Sequence, residues 1–259
     1  MIHLSFDIEE FDTPGEYGAP LSNSEQMQIS ANGTNRILDL LDRTNIKATF
    51  FVTANFAQHN TRLIKRIIKS GHELASHSFY HSHLEIADLK SSKEVLEKIS
   101  GVKVIGFRMP RMKKISSEDI FNAGYKYDSS LNPCYLPGRY NNFSKPYMPH
   151  KEGDLIIFPS SVTPRLRIPL FWLTFHNLPI FIFSWLSKRS LRKTGFLNIY
   201  FHPWEFADIS AKRMNLPFYI TNNSGQKMIE RLELFIKKMR KRGEPFSPIN
   251  ESEYIKGNI

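Results

Sequence analysis

The stretch HELASHSFYHSH, residues 72–83, reads as a short strand that runs straight into a pair of histidines. Gly71 ends the helix before it. His77 and His81 then stand four residues apart, and in a helical turn that spacing puts two imidazoles on one face. Two neutral imidazoles on one face are ready ligands for a divalent transition metal. In barrels of parallel strands the carboxyl ends form the active-site face, so other strands should deliver polar residues to the same edge.

Working outward, they do. Residues 2–7 read as a buried strand ending at Asp7, and 25–41 carry apolar residues at helical spacing. IKATFFVT (46–53) is a second strand, followed by a helix over about 54–69. Beyond the histidines come a charged helix at 91–99, a strand at 102–107 ending at Arg108, a short helix at 116–122, and a strand at 125–127 reaching Asp128. Residues 129–153 read as irregular. A strand at 155–159 follows, then one at 196–201 ending at His202, and a last amphipathic helix at 227–241. Strand and helix alternate, which predicts a parallel sheet. The expected fold is α/β, a distorted (β/α) barrel of about seven parallel strands, with residues 1–259 as a single domain. Asp7, His77, Arg108, Asp128 and His202 all lie at or just past a strand's carboxyl end.

Composition narrows the partners. The formal net charge of +10 favours anionic ones, with basic runs at 187–193 and 237–242 that belong to no nucleic-acid motif, so no nucleic acid is expected. A single cysteine, Cys134, excludes an intramolecular disulfide framework and any Cys-rich zinc site. No basic segment with an apolar core opens the chain, so no signal peptide and a cytoplasmic location are expected. Residues 168–186 carry no charge, but Pro169, His176, Asn177 and Pro179 break them into two short apolar elements rather than a span. With Lys188, Arg189, Arg192 and Lys193 next in line, 168–193 reads either as a peripheral contact with the cytoplasmic face of a membrane, or as a hydrophobic hairpin packed on the barrel or in a dimer.

SFDIE (5–9), HSFYH (77–81), RMP (108–110), YDSS (127–130) and YFH (200–202) stand in the order of the polysaccharide deacetylase family, also called NodB-homology or carbohydrate esterase family 4, which the chain resembles from about residue 4 to 206. HPWE (202–205) and the apolar stretch before it resemble the subgroup tied to exopolysaccharide export. The resemblance implies a divalent metal ion, zinc first, held by His77, His81 and one carboxylate. It implies Asp7 as base, Arg108 as the residue orienting Asp7, His202 as the acid that protonates the leaving amine, and Asp128 as the orienter of His202. The family's second aspartate is replaced by Ile8, which binds no metal; Glu9 is the natural substitute and Glu10 the runner-up. The fourth motif's tryptophan is absent, Arg111 replaces a tyrosine, and Tyr200 a leucine.

Each residue also has an ordinary structural reading: a solvated strand end for Asp7 and Glu9, an ion pair for Arg108 and Asp128, a turn histidine for His202. The remaining histidines, His176 among them, read as structural or surface, and Trp204, Tyr80 and Tyr135 as candidate sugar-stacking rings. The expected activity is removal of an N-acetyl group from an amino sugar in a polysaccharide or lipid-linked glycan precursor. A related C–N hydrolase acting on a small cyclic amide, and a non-catalytic glycan-binding or membrane-docked module, remain as alternatives.

Overall fold

Isoleucine, leucine and phenylalanine recur along β1 (Ile2–Ile8), and all seven residues of the strand are buried. A strand covered on both faces belongs in the middle of a parallel sheet. The computed structural model, which describes residues 1–83 and 85–257, places it there. After β1 come β2 (Thr49–Val52), β3 (Glu73–Ser76), β4 (Gly106–Phe107), β5 (Tyr127–Asp128), a small hairpin of β6 (Tyr135–Leu136) and β7 (Tyr140–Asn141), then β8 (His150–Glu152), β9 (Leu155–Ile157) and β10 (Leu197–Phe201). The main sheet runs β10-β1-β2-β3-β4-β5-β9-β8. Its neighbours pair in parallel except β8 and β9, which are antiparallel. The expected seven parallel strands are present, with β8 added at one edge.

The sheet curls without closing by a ladder. Between β10 and the segment after β9, isolated side-chain and backbone bonds around Asn198 do that work. The Asn198 amide Nδ2 donates to the carbonyl of Pro159 (3.1 Å) and to Ser129 Oγ (3.0 Å), while Ser161 N donates to the Asn198 carbonyl (2.9 Å). At the opposite end from the carboxyl ends of the strands, the C-terminal segment seals the barrel. Ile249 N donates to Thr49 Oγ1 (2.8 Å), and Asn250 N to Glu73 Oε2 (3.0 Å).

Helices cover the outer face. The longest, Asn23–Thr44, starts at Ser22, whose side chain and that of Glu25 form a reciprocal capping box. Its Gly33 lies so close to the Pro203 carbonyl that an added Cβ would sit 1.8 Å from that oxygen. The helix expected over 54–69 is two helices, Ala54–His59 and Thr61–Lys69, broken at Asn60, whose side chain turns back to the Phe56 carbonyl (3.2 Å). The strand expected at 102–107 shrinks to two residues because helix side chains take up the backbone before it. Val104 N donates to Glu97 Oε1 (2.9 Å), and Lys93 Nζ donates to the Val104 carbonyl. Residues 129–153, expected to be irregular, hold the β6–β7 hairpin and β8.

The apolar stretch divides as its prolines indicate, into helices Trp172–Asn177 and Ile180–Thr194. Phe175 of the first packs edge-on against Phe183 and Phe201, both at 4.9 Å. Among the described residues no helix is long and apolar enough to cross a membrane.

Candidate metal centre

β1 carries Asp7 one residue before its end, and Glu9 follows one residue past it. Two apart, they point to the same side. Both line a cleft of about 600 Å³ with His77, His81 and His202. The two histidines are not on a helix. They lie in the loop that leaves β3, where Ser78 adopts φ 65°. Ser78 N donates to Ser76 Oγ (3.2 Å) and His81 N to Glu10 Oε2 (3.3 Å), so the loop is tied at both ends. The rings meet by loop closure, with centroids 5.9 Å apart.

The hydrogen bonds decide which ring nitrogen faces inward. His77 Nδ1 donates to the Arg108 carbonyl (2.8 Å), and His81 Nδ1 donates to Asp12 Oδ1 (2.9 Å). Both partners are acceptors, so both Nε2 atoms are left for a third party. Both point at one atom: Glu9 Oε2 is 3.2 Å from His77 Nε2 and 3.0 Å from His81 Nε2. The other oxygen, Oε1, accepts from Trp204 Nε1 (3.2 Å). Donor atoms bound ~2.1 Å from one tetrahedral ion lie about 3.4 Å apart, so these three residues fit a divalent cation. Around Asp12, Arg111 donates at 2.8 Å and is itself paired with Glu16.

The electrostatics agree with that convergence. Burial alone would raise the Glu9 carboxyl, but His81, His202 and His77 hold it well below the usual range. Burial would lower His81, and Glu9 and Asp12 raise it instead. Of the two carboxylates left open by the sequence, Glu9 faces the imidazoles. Glu10 braces the loop, accepting from Asn55 Nδ2 (2.6 Å) and Thr53 Oγ1 (3.2 Å).

Arg108 is fully buried. It donates to Asp7 Oδ1 (2.6 Å), Ser5 Oγ (3.0 Å), the Ser129 carbonyl (3.0 Å) and Ser129 Oγ (2.9 Å), and its guanidinium lies over Phe51. Asp7 is thereby fixed in direction, with a charge-assisted contact on one oxygen.

Across the cleft stands His202. Its expected orienter, Asp128, is occupied elsewhere. Asp128 accepts from Ser130 N (3.0 Å) and Ser130 Oγ, does not line the cleft, and is pushed up to about 6 by burial. Glu205 makes the contact instead, with Oε1 2.8 Å from His202 Nδ1 and 2.6 Å from His202 N. Its Oε2 is 2.8 Å from His176 Nε2, while His176 Nδ1 donates to the Asn222 carbonyl (2.6 Å). Both hydrogen-bond neighbours of the His176 ring are oxygens, one of a carbonyl and one of a carboxylate. Burial would raise Glu205, but His176 and His202 lower it. His202 goes up to about 9: burial opposes this, and Glu9, Glu205 and Asp7 outweigh it.

Glu205 could have been found in HPWE, because an acidic residue three past a turn's first residue is a capping signature. His176 carried no local signal. Of the aromatic candidates, Trp204 lines the cleft and stacks on His202 at 4.9 Å. Tyr80 stacks on His83 instead, and Tyr135 is an exposed residue of β6 that does not line the cleft.

Residues 26–127 match the family model described as Polysaccharide deacetylase. That range contains His77, His81 and Arg108; Asp7, Glu9 and His202 join them through the fold alone. The chain is 39% identical over 75 residues to the peptidoglycan-N-acetylmuramic acid deacetylase PdaA of Bacillus subtilis, a match covering 26% of this chain and 28% of that protein. The chain thus matches well under two thirds of that relative's length. In fold it resembles the crystal structure of a putative polysaccharide deacetylase from Mycobacterium smegmatis, with a TM-score of 0.65, 19% identity, and coverage of 95% of this chain and 85% of that one. It also resembles the Puue allantoinase structure, with a TM-score of 0.67, 15% identity, and coverage of 96% and 87%.

Proposed function

We propose that this chain, whose residues 26–127 match the polysaccharide deacetylase family model, is a metal-dependent hydrolase that removes N-acetyl groups from an amino sugar in a polysaccharide or a lipid-linked glycan precursor. The observation that carries the reading is the meeting of His77 Nε2, His81 Nε2 and Glu9 Oε2 in the cleft that also holds Asp7 and His202. Zinc is the first candidate for the ion, because two imidazoles and one carboxylate leave an open position on a tetrahedral centre.

When bound, the ion polarises the scissile carbonyl and makes water a nucleophile at neutral pH. The chain's own residues do the rest. Asp7, steered by Arg108, takes the proton from the attacking water. His202 commits its Nδ1 proton to Glu205 and turns Nε2–H toward the cleft. The Glu205 carboxylate beside Nδ1 favours the charged imidazolium, so His202 can hand a proton to the departing amine. Trp172, Tyr200 and Trp204 supply aromatic walls suited to a sugar ring. Because HPWE furnishes the orienting carboxylate, we place the chain nearest the exopolysaccharide-associated subgroup.

The test is acetate release from N-acetylglucosamine oligomers by protein reconstituted with zinc. Release that a chelator stops and zinc restores supports the reading. Hydrolysis of allantoin without acetate release moves the chain to small cyclic amides. Bound metal with neither activity leaves a glycan-binding module.

A further inference from the structure

Helices Ile180–Thr194 and Gln226–Arg240 lie side by side on the outside of the barrel, and a groove of about 800 Å³ runs between them. Phe181, Trp185, Lys188 and Arg192 succeed one another on the groove side of the first helix, at the i, i+4, i+7, i+11 spacing of a single face. Lys238 and Arg242 face them from the other wall, and Arg189 and Lys193 complete the lining. The groove thus gathers six cations, and among the described residues none of the six has an acidic partner within ion-pair distance. Several cations elsewhere on the surface are paired, Arg43 and Lys237 with Glu233, Arg66 with Asp39, and Arg213 with Glu25.

The upper end of the groove is apolar and open. Phe181 is 66% and Trp185 57% exposed, and Arg189 lies over the Trp185 ring at 5.7 Å. The apolar residues nearer the barrel on the same stretch, Phe171, Phe175 and Phe183, are buried, so these two are outward by placement rather than for lack of core.

We propose that this face docks on the surface of an anionic phospholipid bilayer, with Phe181 and Trp185 entering the headgroup boundary and the six cations meeting the lipid phosphates. The charges are all of one sign, unpaired, and next to exposed aromatic rings. That combination matches a bilayer interface, which offers dense negative charge above an apolar layer. The face begins close to the cleft: Leu178, two residues before the helix, lines it. The docking itself is independent of whether the cleft deacetylates anything.

Co-sedimentation with phosphatidylglycerol and phosphatidylcholine vesicles tests it. Each basic residue at an anionic surface multiplies partitioning about fivefold. Binding to phosphatidylglycerol at low salt should therefore fall more than ~100-fold when Lys188, Arg192, Lys238 and Arg242 are changed to Ala together. It should also weaken with salt and in Phe181→Ser/Trp185→Ser. Folding of the variants is checked by thermal midpoint and by zinc retention at the cleft, to which none of the changed residues contributes. Absent binding to phosphatidylglycerol at low salt, binding that the four-site variant retains, or equal binding to phosphatidylcholine each overturns the proposal. So does saturable binding to a heparin or nucleic-acid probe without vesicle binding, which would make the partner a polyanion.

Discussion

Glu205 Oε1 lies 2.8 Å from His202 Nδ1, and this contact determines that Nε2 of the histidine is the atom facing the cleft. Glu205→Gln should therefore lower turnover by about 10²-fold, the low end of what a general acid supplies. It should also move the alkaline limb of the pH–rate profile to lower pH, because the carboxylate is one of the groups that raise His202. Asp128→Asn should leave the position of that limb unchanged, since Asp128 bonds Ser130 and not His202. Steady-state kinetics across pH distinguishes the two variants.

Asp7→Asn should retain the ion and lose turnover by about 10²–10⁴. Stability should fall with it. Arg108 is fully buried and Asp7 is its ion-pair partner, and leaving a buried charge without its partner costs about 3–5 kcal/mol. Metal content and kcat must therefore be measured per folded molecule.

Gly33→Ala tests the packing that places His202. Alanine favours a helix interior by ~1 kcal/mol over glycine. Here its Cβ would stand 1.8 Å from the Pro203 backbone oxygen, which no side-chain rotation relieves. Overpacking of about 1–3 kcal/mol should exceed the propensity gain. The variant should melt lower and turn over more slowly, since Pro203 adjoins His202. Gly15→Ala, with nothing within 4 Å of the added atom, is the control and should change stability by no more than ~0.5 kcal/mol.

One source of the chain's pH dependence of stability lies far from the cleft. Glu73, at the sealed end of the barrel, is raised to about 7 by burial, against the opposing pull of Thr49 Oγ1, the backbone of Asn250 and the Tyr127 hydroxyl. The folded state therefore holds a proton that the unfolded state releases near its ordinary value of 4.5. The resulting stabilisation is complete below that value and is lost as pH rises to 7, amounting to about 3 kcal/mol. Chemical denaturation should show wild type and Glu73→Gln closest in stability below pH 4.5, with wild type falling behind the variant as pH rises to 7. A difference independent of pH would place Glu73 ionised in both states.

The barrel and much of its site were legible because each strand ends an apolar run with one polar residue, a pattern local to a few positions. Asp7, Glu9, His77, His81, Arg108 and His202 all gather by that route. What was not legible depends on contacts distant in sequence or on backbone shape. The spacing of His77 and His81 fits a helix as well as the loop that forms, and nothing local signals the left-handed Ser78 that closes it. Asp128 looked like the orienter by motif order, yet its neighbour Ser130 satisfies it first. Glu205 went unread in HPWE although its spacing there is that of a turn-capping residue, and its second partner, His176, arrives from a helix 29 positions away.

The central claim is that Glu9, His77 and His81 hold one divalent ion. Elemental analysis of the protein after zinc reconstitution and desalting tests it most directly, alongside His77→Ala, His81→Ala, Glu9→Gln and Glu10→Gln. One equivalent is expected in the wild type and in Glu10→Gln, and loss of the ion in the other three. A wild-type protein without bound metal, or an equivalent of zinc that persists in His77→Ala and His81→Ala, would contradict it.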